Sequence, residues 1–569
     1  MNVGSGRADE PESARRWLVC SFWLVPLVFY GATVSPTAGW VDAPFLAQVV
    51  HRVELTVWVN HHNLFTLLGA AWLRLMPASL DPHYSLNLLC AGLASVTVYL
   101  VFRIGIALTD DVWSSALGAC VLMVSHSLWW HATMLEVYTL STALLSATLL
   151  FVVRYDRGRR LADLAWAVFF FGLCCSNHPQ MGLVGAGFLG LLAFSEVRAQ
   201  VLRPKPLLIL TGCFLAGFSV YLAVFGFELA ARVAGSADRT VADVVRRMLH
   251  ETSGGDFKQH MFPRGLGMRQ RLFWWGYWLA LLVYNFPPPW LLAAPAGVGY
   301  AWRRVDLRVS FAFLGWVLAA QILWSTNYLV WDMWAFSLPV YLCVGVLVIV
   351  GIAGFARRGR AARFLLVALA PTVALTPWIY ARAADLASQR PWVMSELSRI
   401  PQLEQAAAFW EPLDYFLDPN KRGYDRVERT SSRILEALEP DACFWGNEAT
   451  AFYPLRFYYQ DVLGRRPDVS YHLIFGMTGN SGAYRRHAAR MVEQLRRGCP
   501  VYISSLAYPD RAVLEHAYAQ LDPQHSVADA RRLSAEELVE TFPLFMVEPI
   551  VVESGDGIQI YRLRRRAPR

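Results

Sequence analysis

Apolar runs recur along residues 17–382, each separated from the next by a short polar or basic stretch. A membrane span needs roughly 20 predominantly apolar residues, and a shorter run can be completed by its flanks. Candidates fall at 17–35, 84–104, 112–130, 134–153, 162–177, 180–195, 207–227, 272–298, 309–327, 335–355 and 364–382. The pattern therefore predicts an α-helical polytopic membrane protein with about eleven transmembrane helices. Ser176-Asn177-His178-Pro179 interrupts the 162–195 stretch, whose two halves are both short.

The basic residues orient these spans. Arg15-Arg16, Arg103 and the clusters within 154–160, 198–205, 303–308 and 357–363 all fall on one side when the spans are counted as above. Positive charge marks the cytoplasmic side. The opposite side receives 36–83, Trp130-His131, 228–271, 327–334 and everything after 383. The expected organisation is a cytoplasmic tail at 1–16 and a transmembrane domain at 17–382 with long outer loops at 36–83 and 228–271. The first apolar run, 17–30, is not closed by a convincing small-residue cleavage site, so a retained span is expected. The whole reads as a multi-pass protein of the inner (plasma) membrane, its N-terminus in the cytoplasm.

The last third changes period. Leu397, Ile400 and Leu403, then Ile434, Leu435 and Leu438, recur at helical spacing and predict a helical connector over 383–440. From 441 to 569 short apolar runs alternate with helical patterns. Strands are expected at 442–446, 469–474 and 501–503, helices at 449–463, 483–497 and 512–521, and a terminal hairpin at 544–547 and 558–563. That alternation predicts a small α/β extracytoplasmic domain with a largely parallel sheet.

Composition agrees with the membrane class: 55% of residues are hydrophobic and only 17% charged, too few to solvate a soluble chain of 569 residues. The net charge of +8 resides in short loops beside apolar runs, where it meets anionic lipid; no nucleic-acid partner is expected. Seven of the 9 cysteines lie in apolar runs and read as small core residues. Cys443 and Cys499 lie in the polar third and could pair if that third is extracytoplasmic.

Several residues stand where chemistry could use them. The first span delivers an isolated carboxylate, Asp42, between Trp40 and Phe45, to the far side of the bilayer. It reads as a catalytic base at the membrane surface, its pKa raised by an apolar wall, or as a turn or N-cap residue before Pro44. Glu136 opens an apolar run after Trp129-Trp130-His131. It could bind sugar hydroxyls, hold a metal or orient an acceptor, or simply favour a helix dipole. Asn177 and His178 sit at the break in 162–195, where they could touch substrate or satisfy freed backbone groups. His61 and His62 are adjacent, so on a helix they point about 100° apart and suit hydrogen bonding better than one shared ion. Asp332, between Trp331 and Trp334, could contact substrate or cap the next helix. Among the basic residues of the second outer loop, Arg264 and Arg271 lie nearest the following span and are the candidates for an anionic group. Glu448, at a strand end, could bind an acceptor or partner.

These stretches, in this order and on this side of the membrane, resemble the GT-C superfamily of membrane glycosyltransferases, and within it the branch related to protein O-mannosyltransferases. The matching stretches are 42–69, Asn87-Leu88-Leu89, 129–140 with Glu136-Val137-Tyr138, and 172–181 with Asn177-His178-Pro179. They continue through 252–257, 327–341 around Asp332, and 446–469 with Tyr458-Tyr459-Gln460 and Arg465-Arg466-Pro467-Asp468-Val469. Two departures stand out. Val41 replaces the family's usual glycine before the aspartate, and Ala43-Pro44-Phe45 follows without a second acid. Asn60-His61-His62-Asn63 stands in place of a proline-rich stretch.

The resemblance implies a GT-C-like transmembrane fold and a sugar donor carried on polyprenyl phosphate. An acceptor hydroxyl of an exported protein, glycan or lipid would attack the anomeric carbon with inversion, mannose being the sugar the family suggests. Asp42 would take the proton. Glu136, Asn177, His178, His61, His62, Asp332, Arg264 and Arg271 would bind substrate. No cofactor is certain, and a divalent cation could take part. Two other classes stay open: a polytopic transporter or flippase, and a non-catalytic envelope assembly scaffold. Mid-span charge pairs and repeated halves, which a transporter would need, are not visible in the sequence.

Overall fold

The computed structural model describes residues 12–565, apart from 41, 59–60, 236–239, 288, 331, 391, 393–412, 448–449, 475–480, 508, 523, 525, 543–544 and 554–557. The helix expected around Leu397–403 and the candidate Glu448 lie outside the described residues.

Six helices among the described residues are long and apolar enough to cross a membrane: Pro82–Thr109, Tyr138–Gly158, Pro204–Ala234, Val305–Ser325, Leu338–Ala356 and Arg360–Ser388. Counting two bent pairs as spans makes eight: Val112–Met123 with His126–Ala132, bent by 68°, and Pro179–Leu191 with Ser195–Val201, bent by 107°. Trp17–Thr33 and Leu161–Asn177 are apolar but shorter. The number is thus six to eight, below the eleven apolar runs, because several runs are interrupted. The run at 272–298 divides into Met268–Asn285 and Ala293–Arg303. Pro287 and Pro289 lie between them, where rings without N–H groups end one helix before the next begins.

Burial separates the centre of the bundle from its rim. Leu338–Ala356 has 89% of its apolar window buried and Tyr138–Gly158 has 83%, whereas Pro204–Ala234 has 11%. The first two therefore pack among other helices, and the third presents most of its surface to lipid. Close helix crossings use paired glycines. A Cβ on Gly351 would strike the Ala293 carbonyl, and one on Gly297 would strike the Leu347 carbonyl. Gly172 and Gly217 meet across a second crossing in the same way. Without a hydrophobic force between helices in lipid, such backbone approach supplies the dispersion contacts that hold them.

The two ends of the bundle differ. Pro82–Thr109 has 28 residues; at 1.5 Å per residue it spans about 42 Å. Its Thr109 end is surrounded by arginines: Arg357 bonds the Thr109 carbonyl, Arg304 bonds the Leu108 carbonyl, and Arg157 pairs with Asp110 at 3.0 Å. Its Pro82 end meets the first outer loop and the C-terminal third.

That third carries a five-stranded sheet of order β2-β1-β3-β5-β4. β1 (Cys443–Gly446) lies between β2 (Ser470–Leu473) and β3 (Val501–Ile503), parallel to both, and every residue of β1 is buried. β4 (Phe545–Glu553) and β5 (Ile558–Arg565) form an antiparallel hairpin that adds to β3 through β5. The segment expected as a helix over 449–463 instead holds a π-helical turn, Pro454–Gln460. Cys443 and Cys499 are both free thiols.

The glycine crossings make a stability test. Gly351→Val should lower the melting temperature of the detergent-purified protein, since overpacking typically costs about 1–3 kcal/mol and here meets backbone. Gly315→Ala, at a lipid-facing site with nothing within 4 Å of the added methyl, should leave it unchanged or higher. Equal melting temperatures for all three proteins would rule out close packing at Gly351.

Candidate functional site

The first outer loop is fastened from several directions before it reaches Asp42. The Trp40 indole N–H donates to the Tyr424 hydroxyl at 2.9 Å, and the Trp40 backbone N–H to the Tyr415 hydroxyl at 3.4 Å. The Gly39 N–H donates to Nε2 of buried His83 at 3.5 Å. The 413–424 segment is itself locked by Lys421, whose buried ammonium donates to the Tyr415 carbonyl at 2.5 Å and to the Asp418 carbonyl. Asp42 is then the first residue of the Asp42–Arg52 helix. Its carboxylate sits at the positive end of the helix dipole.

Asp42 is exposed to solvent, yet protein atoms crowd around its carboxyl group. Desolvation there raises its pKa to about 6. Glu136, half-buried in the loop before Tyr138–Gly158, is held well above the usual carboxylate range. Burial is the main cause, followed by the charges of Asp42 and Asp332. Asp332 stands half-buried at the N-cap position of the Met333–Phe336 helix. The carboxyl groups of Asp42 and Asp332 thus both act on Glu136. The Tyr328 hydroxyl joins them: burial raises its pKa first, then Asp332 and Asp42.

A wall of rings bounds the same region. His62 and His178 stack at 5.0 Å with an interplanar angle of 14°. Tyr138 meets His178 at 5.5 Å, and Phe336 meets Tyr138 at 5.6 Å and Tyr328 at 4.8 Å. His62 contacts the Asn177 carbonyl through Nδ1 at 3.0 Å. A carbonyl only accepts, so Nδ1 carries the proton and, in the neutral ring, Nε2 keeps its lone pair. Burial lowers the His62 pKa to about 4, so the ring is neutral near pH 7. His178 accepts the Gln180 N–H on Nδ1 at 3.2 Å. Asn177 is buried and ties the break to the neighbouring span, its amide donating to the Val137 carbonyl (3.2 Å) and the Ser141 hydroxyl (2.9 Å).

His61 turns away from His62. Its ring meets Phe45 edge-on at 5.5 Å and Trp58 at 5.8 Å. Burial lowers its pKa to about 4, opposed by the charge of Glu228. Glu228 also holds the loop that carries His61, accepting the Val57 N–H at 2.7 Å and the Thr56 hydroxyl at 3.0 Å.

The basic candidates stand to one side. Arg264 is exposed, and Arg271 lines a shallow pocket with Pro263, Trp274 and Asn327. Neither makes an ion pair among the described residues. Backbone pairing brings the loop that carries Arg264 beside Tyr328 all the same: Met261 and Tyr328 form an antiparallel bridge, and the Phe262 N–H donates to the Asn327 carbonyl at 2.8 Å. Among the described residues no three His, Cys, Asp or Glu side chains group closely enough to hold a metal ion. Tyr328 and Phe336 were not among the sequence candidates. Their only signal was placement in the 327–341 stretch around Asp332, since aromatic residues are common throughout the chain.

Residues 60–202 match the family model of the protein O-mannosyl-transferase TMEM260 N-terminal domain. The match includes His61, His62, Glu136, Asn177 and His178, and leaves Asp42 and Asp332 outside. No curated protein matches the chain. Among solved structures, ArnT from Cupriavidus metallidurans bound to undecaprenyl phosphate superposes with a TM-score of 0.55 at 12% identity, over 97% of this chain and 98% of that one. Its apo form gives 0.54. Arabinofuranosyltransferase AftD from Mycobacteria gives 0.50 at 13% identity, over 97% of this chain and 40% of that one. At such identity the likeness is one of fold. Over residues 60–202 the chain resembles the N-terminal domain of a protein O-mannosyl-transferase, and over nearly its whole length it shares its fold with ArnT.

Proposed function

We propose that this protein moves a sugar from a polyprenyl-phosphate donor to a hydroxyl group outside the cytoplasm, with inversion and with Asp42 as general base. The observation that carries the reading is that Asp42 and Asp332 stand close enough to Glu136 to act on it, on a fold shared with a protein crystallised with undecaprenyl phosphate. The orientation is the one the basic loops set, with the arginine-rich end of the bundle in the cytoplasm of a cell whose inner membrane it spans.

The step balances simply. The acceptor oxygen forms a bond to the anomeric carbon as the bond from that carbon to the phosphate oxygen breaks. The hydroxyl proton passes to Asp42, and polyprenyl phosphate leaves with its electron pair. A base with a pKa near 6 is mostly ionised at neutral pH yet still basic enough to draw the proton. Glu136, its pKa held well above the usual carboxylate range by burial, hydrogen-bonds a sugar hydroxyl. His62 and His178, with the Tyr138 and Phe336 rings, present an aromatic wall for the sugar, and Asn177 holds that wall in place. His61 and Asp332 line the approach. Arg264, on the loop paired to Tyr328, and Arg271, at the start of the helix that follows, meet the leaving phosphate charge. Mannose is the sugar favoured by the match to an O-mannosyl-transferase domain, and an exported protein, glycan or lipid is the acceptor.

In purified protein offered mannosyl polyprenyl phosphate and extracytoplasmic acceptors, Asp42→Asn should cut transfer by about 10²–10⁴-fold, the usual contribution of a general base. Transfer at the wild-type rate by a folded variant would reject Asp42 as the base. Mass spectrometry of extracytoplasmic glycoproteins and glycans with and without the gene identifies the acceptor.

The raised pKa also sets a pH dependence. Transfer should rise as pH passes through about 6, because only ionised Asp42 accepts the proton. Stability has the opposite sign. A carboxyl whose folded pKa lies above its unfolded value favours folding below that unfolded value, and the contribution is lost as pH rises through 6. Asp42→Asn should therefore melt higher than wild type at pH 7–8, with the gain shrinking toward pH 4. A gain that is largest in acid would contradict a raised pKa at Asp42.

A further inference from the structure

The π-helical turn Pro454–Gln460 lies far along the chain from Asp42 but packs against its helix. Backbone bonds of the wide turn run from the Asp461 N–H to the Arg456 carbonyl and from the Leu463 N–H to the Tyr458 carbonyl. Such turns are rare and concentrate at functional sites. This one directs three side chains at the first outer loop. The Phe457 ring meets Phe45 at 5.4 Å. The Tyr458 hydroxyl donates to Asp81 at 2.5 Å and accepts the His83 N–H at 3.4 Å. Just after the turn, the carboxylate of Asp461 is only 6% exposed and has three donors. Gln48 donates to one oxygen at 2.5 Å; Arg52, at 3.1 Å, and Arg456, at 2.6 Å, meet the other.

Gln48 and Arg52 belong to the helix that begins with Asp42. The helix is therefore gripped near its far end by Asp461, and the loop before its near end by Trp40, Gly39 and their partners. Eleven residues make a rod about 16 Å long, so a loosened far end swings the near one. We infer that Asp461 is a positioning residue for Asp42, so that the C-terminal domain, and not the membrane bundle alone, sets where the base stands. This rests on the reading of Asp42 as that base.

The test uses the full chain in lipid nanodiscs with two readouts. In Asp461→Ala, amide hydrogen exchange across 42–52 should rise about 10-fold while β1 and β3 exchange as in wild type. The turnover number should fall about 10- to 100-fold, the cost of a misplacement near 1 Å. The donor KM should change less than about 3-fold, because binding groups stay in place. Asp461→Asn, which still accepts from Gln48, should recover part of both losses. Unchanged exchange over 42–52, or raised exchange with an unchanged turnover number, overturns the inference. Should wild-type protein transfer no sugar, the glycosyltransferase reading fails separately, and exchange alone decides the grip. If Asp461→Ala cannot be purified, Asp461→Asn carries both measurements.

Discussion

Bringing the carboxyl groups of Asp42 and Asp332 near a desolvated Glu136 is unfavourable, and the rest of the structure depends on how that is managed. Like charges in such a place cannot all ionise together. Glu136 answers with a pKa well above the usual carboxylate range, under burial first and then Asp42 and Asp332. Asp42 answers less fully, its pKa raised to about 6, because it begins a helix and is exposed to solvent. Two chemically similar groups are thereby tuned differently by their surroundings.

Holding that arrangement takes parts of the chain that are far apart in sequence. Trp40 is bonded to Tyr415 and Tyr424, His62 to Asn177, and Gln48 to Asp461. Neutral histidines suit this frame, since a charged ring there would pair with the acids and quench them. The glycine crossings supply rigidity below, and the sheet with its π-turn supplies it above.

Much of this was legible in the sequence because it follows from local pattern. Period and hydrophobicity located the apolar helices and the short strands around Cys443, Ser470 and Val501. The isolation of Asp42 and Glu136 in apolar surroundings marked them as unusual. What the pattern could not reveal were features set by tertiary contact. The bends at Ser125 and after Leu191, the break at Pro287 and the shortness of Trp17–Thr33 and Leu161–Asn177 leave six to eight candidate spans among the described residues, where the pattern has eleven apolar runs. The wide turn at Pro454 arises from packing against Phe45 and Asp81, which no window of sequence near it contains. Tyr328 looks like any interfacial tyrosine until its loop pairs with Met261. Arg264 and Arg271 are near the following span in sequence, but in the fold Arg264 is exposed and Arg271 lines a pocket that contains none of the three carboxylates.

A base that draws a proton from the acceptor in a single displacement leaves a stereochemical record. NMR of the glycosidic bond formed by the purified protein, set against the anomeric configuration of the polyprenyl-linked donor, reads that record directly. Opposite configurations in donor and product are the result expected from Asp42 acting as base. A product that keeps the donor's configuration would require a second displacement, which a single base at Asp42 does not provide, and would contradict the account.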